Sequence, residues 1–276
     1  MTDVSGACSV IATALGPVRV AMRGEGAPVV LLHANPGDGR DYAAVVPALA
    51  GRFRTYTVDW PGYGGSPAPP EPAAATAMAF AGILPDILAG LGLRRAALIG
   101  NSVGGYAAAR LAITDPDAVS ALVLVNSGGF TRQTALIRAV IRLKGTETAT
   151  RSLAGRLSRL YLRGRTPVVR EMLARDAARR SDGASVAVEA AIWRSFTDAD
   201  HDLRERAARI TAPTLLVWGT RDPLLGRDGG SARRAMPRAT WHPLPTGHAP
   251  FAEDPEAFLT AVLPFLARAH PQAPRT

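Results

Sequence analysis

Leu98-Ile99-Gly100-Asn101-Ser102-Val103-Gly104-Gly105-Tyr106 is an apolar run that passes through a sharp turn, with a serine at its corner, into a helix-forming stretch. The G-x-S-x-G pattern it contains has a steric cause. A nucleophilic serine that must stand above a sheet sits on a strained strand-to-helix turn, and the residues two before and two after it crowd that turn. Gly100 and Gly104 are the residues without a Cβ to clash. The preceding Ala96-Ala97-Leu98-Ile99 reads as a buried strand, and the alanine-rich stretch from Tyr106 to Ala112 reads as a helix.

A serine hydroxyl is scarcely ionised at neutral pH, so Ser102 needs a base, and the base needs an acid to orient it. Downstream, Pro213-Thr214-Leu215-Leu216-Val217-Trp218-Gly219 is a buried-strand pattern that runs into a loop carrying Asp222. Leu244-Pro245-Thr246-Gly247-His248 then places His248 in a loop just before the helical stretch from Asp254 to Ala269. Each of the three residues lies past the end of an expected strand.

Two upstream segments complete a pattern. Val29-Val30-Leu31-Leu32-His33-Ala34-Asn35-Pro36-Gly37 resembles the H-G-x-P oxyanion loop after the third strand of the α/β-hydrolase superfamily. Val58-Asp59-Trp60-Pro61-Gly62-Tyr63-Gly64-Gly65-Ser66 resembles the D-x-x-G-x-G-x-S turn after that family's fourth strand. With the elbow and the order Ser, Asp, His, the resemblance covers nearly the whole chain. It implies an α/β fold: a mainly parallel eight-stranded sheet with helices on both faces and a helical cap inserted after the sixth strand. The core is then residues 1–128 and 210–276, and the cap residues 129–209. Asp222 is expected to support His248, and Asp59 to be structural. One departure stands in the oxyanion loop, where Ala34 replaces the usual glycine.

Hydrophobic residues make up 47% of the 276 and charged residues 20%, which fits a globular protein with a sizeable core rather than a disordered one. The net charge of +9 raises the question of nucleic acid or an anionic membrane. The basic residues are almost all arginine, with Lys144 the one lysine, spread through helices amid alanine. They read as the residue usage of the source and a solvated surface, with no nucleic-acid partner. Attraction for acidic substrates or carrier proteins is the alternative. Cys8 is the one cysteine, which excludes an intrachain disulfide and a cysteine metal site. No apolar stretch reaches the roughly 18 residues of a membrane span, and the N-terminus lacks a positive leader region, so cytoplasmic residence is the expectation.

Along the chain, Ser9 to Ala14 and Val18 to Met22 read as a hairpin, followed by alternating strands and helices. A helix is expected from Tyr42 to Ala50 and another from about Thr76 to Leu91, kinked or interrupted by Pro85. From Gly129 to Arg209 apolar residues recur only at helical spacing, as in Leu136, Val140 and Leu143. Tyr161, Met172, Trp193 and Phe196 there either pack cap helices together or touch substrate, and Trp193 and Phe196 are carried as substrate-contact candidates. Pro67 to Ala75 and the tail from His270 to Thr276 read as poorly structured.

The resemblance implies two backbone N–H groups aimed at the developing oxyanion, from Val103 and from Asn35. Asn35 offers its side-chain amide as well, and His33 is grouped with this loop, more as a support than as a reactant. His242 reads as a strand or loop residue, His201 as a solvated residue among Asp198, Asp200 and Asp202. Asn126, at the end of the sixth strand, stands where some members of the superfamily keep their acid, but an amide cannot stabilise an imidazolium as a carboxylate does. Serine at the elbow argues against the aspartate-dependent dehalogenases and epoxide hydrolases of this fold. The reading is a cofactor-independent, metal-free serine hydrolase acting on an ester, thioester or related acyl bond of a small, largely apolar substrate. The alternatives are a carbon–carbon hydrolase, whose elbow G-N-S-x-G-G resembles but whose glycine-rich oxyanion loop is unmatched, and a cyclase or acyltransferase. A non-catalytic receptor is the alternative of another class, and retention of all three triad candidates speaks against it. The oligomeric state is not legible.

Overall fold

The structure, a computed structural model, describes residues 6–153 and 155–270. Eight strands form one sheet: β1 (Cys8–Thr13), β2 (Gly16–Arg23), β3 (Pro28–Leu32), β4 (Arg54–Val58), β5 (Ala96–Asn101), β6 (Val119–Val125), β7 (Thr214–Gly219) and β8 (Thr240–Leu244). Their spatial order is β1-β2-β4-β3-β5-β6-β7-β8. β2 runs against both neighbours, and every other adjacent pair is parallel. The eight-stranded, mainly parallel sheet expected from the sequence is therefore present.

Between and after the strands lie α1 (Val46–Ala50), α2 (Ala77–Gly90), α3 (Val103–Thr114), α4 (Ala135–Lys144), α5 (Glu147–Leu153) and α6 (Arg156–Tyr161). They are followed by α7 (Pro167–Ala178), α8 (Gly183–Ser195), α9 (Gly229–Ala235), α10 (Pro250–Glu253) and α11 (Pro255–Ala269). The pleat sends alternate residues to opposite faces, and both faces are covered. Val30, Leu32, Leu98, Leu122 and Leu124 pack with α2 and α3 in one core. Val29, Leu31, Ile99, Val123 and Val217 pack with α10 and α11 in the other. Continuous apolar strands such as Val119–Val125 follow from burial on both sides.

Three local expectations are corrected. α2 runs unbroken through Pro85, because the ring lies on the helix's exposed side and the flanking Leu84, Ile87 and Leu88 are anchored in the core. Tertiary packing outweighs the one missing hydrogen bond. The helix expected over Tyr42 to Ala50 is a 3₁₀ turn at Gly39–Tyr42 followed by α1, since Pro47 fits only the first turn of a helix. Pro67 to Ala75 is ordered rather than loose, with a 3₁₀ turn at Pro72–Ala74 and Ala75 fully buried. Of the tail, residues 271–276 lie outside the described residues.

Candidate active site

Five neighbouring parallel strands, β3, β5, β6, β7 and β8, end along one edge of the sheet, and the candidate residues are carried just beyond those ends. This is where open α/β sheets assemble their sites. Ser102 follows β5 with φ +54° and ψ −114°, one of two non-glycine residues at positive φ among those described. That backbone is strained for an L-residue and is fixed from several sides. The Ser102 N–H donates to the Val125 carbonyl at 3.1 Å, and the Gly128 N–H donates to the Ser102 carbonyl at 2.9 Å. The flanking glycines are sterically required: a Cβ on Gly100 would stand 2.4 Å from the Gly104 carbonyl oxygen, and one on Gly104 2.3 Å from that of Leu32.

His248 Nδ1 donates to Asp222 Oδ2 at 2.7 Å, and both residues are buried. With its hydrogen on Nδ1, a neutral His248 keeps its lone pair on Nε2. Burial pushes the Asp222 carboxyl up, but His248 and the amides of Leu224 and Leu225 outweigh it and hold the group below its usual value. A further donor comes from Asn126, whose Nδ2 reaches the same Oδ2 at 2.8 Å while its Oδ1 accepts from the Gly219 N–H at 2.7 Å. Asn101 Nδ2 donates to the carbonyls of Val125, at 2.9 Å, and His248, at 3.0 Å, tying the elbow to the histidine loop. The His248 N–H in turn donates to the Tyr161 carbonyl at 3.0 Å.

On the other side of Ser102, Val103 opens α3, so its N–H belongs to the turn whose amides have no intrahelical acceptor. Asn35 borders the same cavity as Ser102. Its side chain is already engaged: Oδ1 accepts from the Tyr63 hydroxyl, and Nδ2 donates to the Glu189 carbonyl at 3.4 Å. Ala34 is not among the positive-φ residues, so the loop has no need of glycine there. His33 supports the loop, as expected, and its grouping with the substrate-contact residues is corrected. It does not line the cavity; its Nε2 accepts from the Trp60 N–H at 3.0 Å and its Nδ1 donates to the Ala34 carbonyl at 2.7 Å. Burial above all lowers its pKa, so it stays neutral with both nitrogens committed. Asp59 accepts from the N–H groups of Gly39 and Gly65 and pairs with Arg19, holding the turn after β4. His242 lies within β8 and is not among the cavity residues.

Ser102 and His248 open into a cavity of about 320 Å³. Its walls are largely apolar, with Ile137, Val140 and Ile141 from α4 facing Trp193 and Phe196 from α8 and its C-cap. No arginine or lysine is among the lining residues. The sequence-based view of His201 as solvated is overturned: it is buried in this wall, stacked on Tyr106 at 4.5 Å and packed on Phe196 at 4.8 Å between ring centroids. Burial lowers its pKa to about 4. Three cavity residues hold a buried polar atom with no protein partner: Gln133 Oε1, Trp193 Nε1 and His201 Nε2. Asn101 and the role of Asn126 beside Asp222 escape a linear reading, because both depend on which strand ends are neighbours. His201 escapes because its acidic context suggests water while the ring it stacks on, that of Tyr106, is far away in sequence.

Comparison with known proteins agrees with this architecture. Residues 27–255 match the family model described as the alpha/beta hydrolase fold. The chain is 32% identical over 250 residues, 87% of its length and 94% of the relative's, to a pimeloyl-[acyl-carrier protein] methyl ester esterase of Chromobacterium violaceum. It is 30% identical over 259 residues, 86% of each chain, to a 2-hydroxy-6-oxononadienedioate/2-hydroxy-6-oxononatrienedioate hydrolase of Cupriavidus pinatubonensis. The crystal structure of a hydrolase from Pseudomonas aeruginosa PA01 superposes with a TM-score of 0.78 at 27% identity, covering 95% of this chain and 99% of that one. With the family model spanning most of the chain and the sheet order to match, the protein belongs to the alpha/beta hydrolase fold family and is a hydrolytic enzyme of it.

Proposed function

We propose that the protein is a serine hydrolase that cleaves an ester, thioester or related acyl bond of a small, largely apolar substrate without a cofactor. The observation that carries this reading is the strained Ser102 opening into an apolar cavity beside a His248 whose Nδ1 is bound to buried Asp222. In this reading Ser102 Oγ attacks the acyl carbon while His248 Nε2 takes its proton. Asp222 holds the imidazole in the required tautomer and balances the imidazolium. The N–H groups of Val103 and Asn35 receive the oxyanion, His248 returns the proton to the leaving group, and water repeats the sequence to free the acid. Residues 129–209 act as a cap whose α4 and α8 determine which acyl groups fit.

The relatives named as a methyl ester esterase and as a 2-hydroxy-6-oxononadienedioate/2-hydroxy-6-oxononatrienedioate hydrolase frame two chemistries for one apparatus, ester cleavage and carbon–carbon cleavage. The cavity favours the first. A dioate carries two negative charges, and among the described residues lining this cavity there is no cation to receive them, Arg175 and Arg179 lining instead a smaller adjoining cavity where Arg175 is already paired with Asp38 and Asp41. The orphaned polar atoms of Gln133, Trp193 and His201 suit a neutral substrate bearing a hydroxyl or a second carbonyl. The test is a fluorophosphonate probe with a panel of acyl esters, thioesters and vinylogous diketones. Native protein should be labelled and should turn over esters or thioesters, and Ser102→Ala should do neither. Turnover of diketones alone, or labelling that persists in the variant, would reject the reading.

A further inference from the structure

The positive charge is not spread evenly, contrary to the impression given by composition. Residues 132–170 hold nine arginines, Lys144 and one acidic residue, Glu147, a net +9 that equals the charge of the entire chain. The remaining residues therefore sum to zero. All nine arginines are exposed, and among the described residues none of them is in an ion pair. Lys144 is buried against Glu189 and contributes nothing to the surface. Unpaired positive charge, carried on α4, α5, α6, the first turn of α7 and the segments flanking them, is a field directed at an anionic partner.

The same segment carries the apolar exposure. Of seven large apolar side chains exposed among the described residues, five are Leu136, Val140, Leu143, Leu153 and Leu160. Leu136, Val140 and Leu143 recur at i, i+4 and i+7, so they form one stripe along α4, with exposures of 74%, 59% and 66%. Leu136 and Val140 also line the cavity, which makes the stripe the lip of its mouth. Arg138 and Arg142 project from a different side of that helix. A helix with an apolar stripe on one side and basic residues on the other is the pattern of a segment that lies in a lipid–water interface.

We infer that the α4–α6 face docks on an anionic lipid surface, with the leucine stripe inserted, the arginines on the headgroups and the cavity mouth facing the layer. A soluble acidic partner would account for the arginines but would leave the stripe in water, and nucleic acid would leave it unmatched. Arg's planar guanidinium suits phosphate headgroups, and its stem covers apolar surface while the head stays wet. Only the entry route rests on the proposed chemistry: apolar acyl substrates reach the cavity from the interface rather than from water.

Flotation of the purified full chain with vesicles tests docking without using any turnover, so failure of the acyl chemistry would leave its outcome unaffected. The protein should float with phosphatidylcholine–phosphatidylglycerol vesicles and not with phosphatidylcholine alone. Salt near 1 M should release it, since charges are then screened beyond about 3 Å. R138Q with R142Q should weaken partitioning about 10- to 30-fold, as expected for two basic residues at an anionic surface. L143S with L160S, neither of which lines the cavity, should weaken it as well while leaving probe labelling of Ser102 in solution unchanged. If the leucine variant does not fold, the salt and arginine arms decide. No flotation with anionic vesicles, equal binding to neutral ones, or salt-sensitive capture by an acidic soluble protein such as an acyl carrier protein without vesicle binding would overturn the proposal.

Discussion

Oδ2 of Asp222 accepts from both His248 Nδ1 and Asn126 Nδ2, and Oδ1 accepts from the Leu224 N–H at 2.8 Å. The carboxylate thus has its charge satisfied and its orientation fixed before any substrate arrives. Asp222→Asn keeps the shape but offers His248 a donor, favouring the wrong tautomer, and should lower kcat by about 10⁴ with the fold intact. Asn126→Ala removes one donor to the carboxylate and the acceptor of the Gly219 N–H. It should lower kcat about 10-fold with KM little changed, measured on the best ester of the panel. Ser102, Asp222 and His248 were legible as a candidate set because each sits in a strongly marked local context, and the Asp222–His248 bond of that set is present. Asn126 was visible only as a rival acid, since its partnership with Asp222 depends on β6 pairing beside β7, Val125 opposite Val217.

Between elements, α4 is fastened to α8 by a single buried ion pair, Lys144 Nζ to Glu189 Oε1 at 2.9 Å. Lys144 also lies 5.6 Å over the Trp193 ring, and Arg194 donates to the Gly145 carbonyl at 2.6 Å. Burial raises the Glu189 carboxyl, and Lys144 offsets only part of that rise. Removing one partner strands the other, so Lys144→Met should destabilise the protein by roughly 3 to 5 kcal/mol. Lys144→Met with Glu189→Leu should recover most of it. Urea unfolding of the three variants measures both effects, and a double variant no better than the single one would mean that the pair itself, not a stranded charge, supplies the stability. Helical spacing marked this region as helices, yet the pairing of its lone lysine with Glu189 spans 45 residues and carries no local signal. Pro85 fails in the opposite direction: a strong local signal is overruled by the packing of the residues around it.

At the scale of the molecule, His201 links stability to pH. Its imidazole titrates near 4 when folded and near 6.5 when unfolded. Between those values the unfolded chain binds a proton that the folded chain does not, so stability is unaffected above pH 6.5 and falls as pH drops towards 4. The loss is roughly 2 kcal/mol by pH 5. His201→Phe, which keeps the stack with Tyr106 and Phe196, should therefore lose about 2 kcal/mol less than native protein between pH 7 and pH 5, measured by denaturant unfolding. The mainly parallel, two-faced sheet was open to a linear reading because short apolar runs alternate with helices; the spatial order of its strands was not. The concentration of unpaired arginines in residues 132–170, beside the apolar stripe of α4, was not read, since composition counts arginines without saying where they stand. The Asn101 side chain bonds the His248 carbonyl across 147 residues of chain. Closing so long a loop is entropically late, after the nearer pairings of β3, β5 and β6 have formed. During refolding from urea, recovery of Ser102 reactivity towards the probe should then trail the return of far-ultraviolet circular dichroism, so the serine keeps time for the last step of assembly.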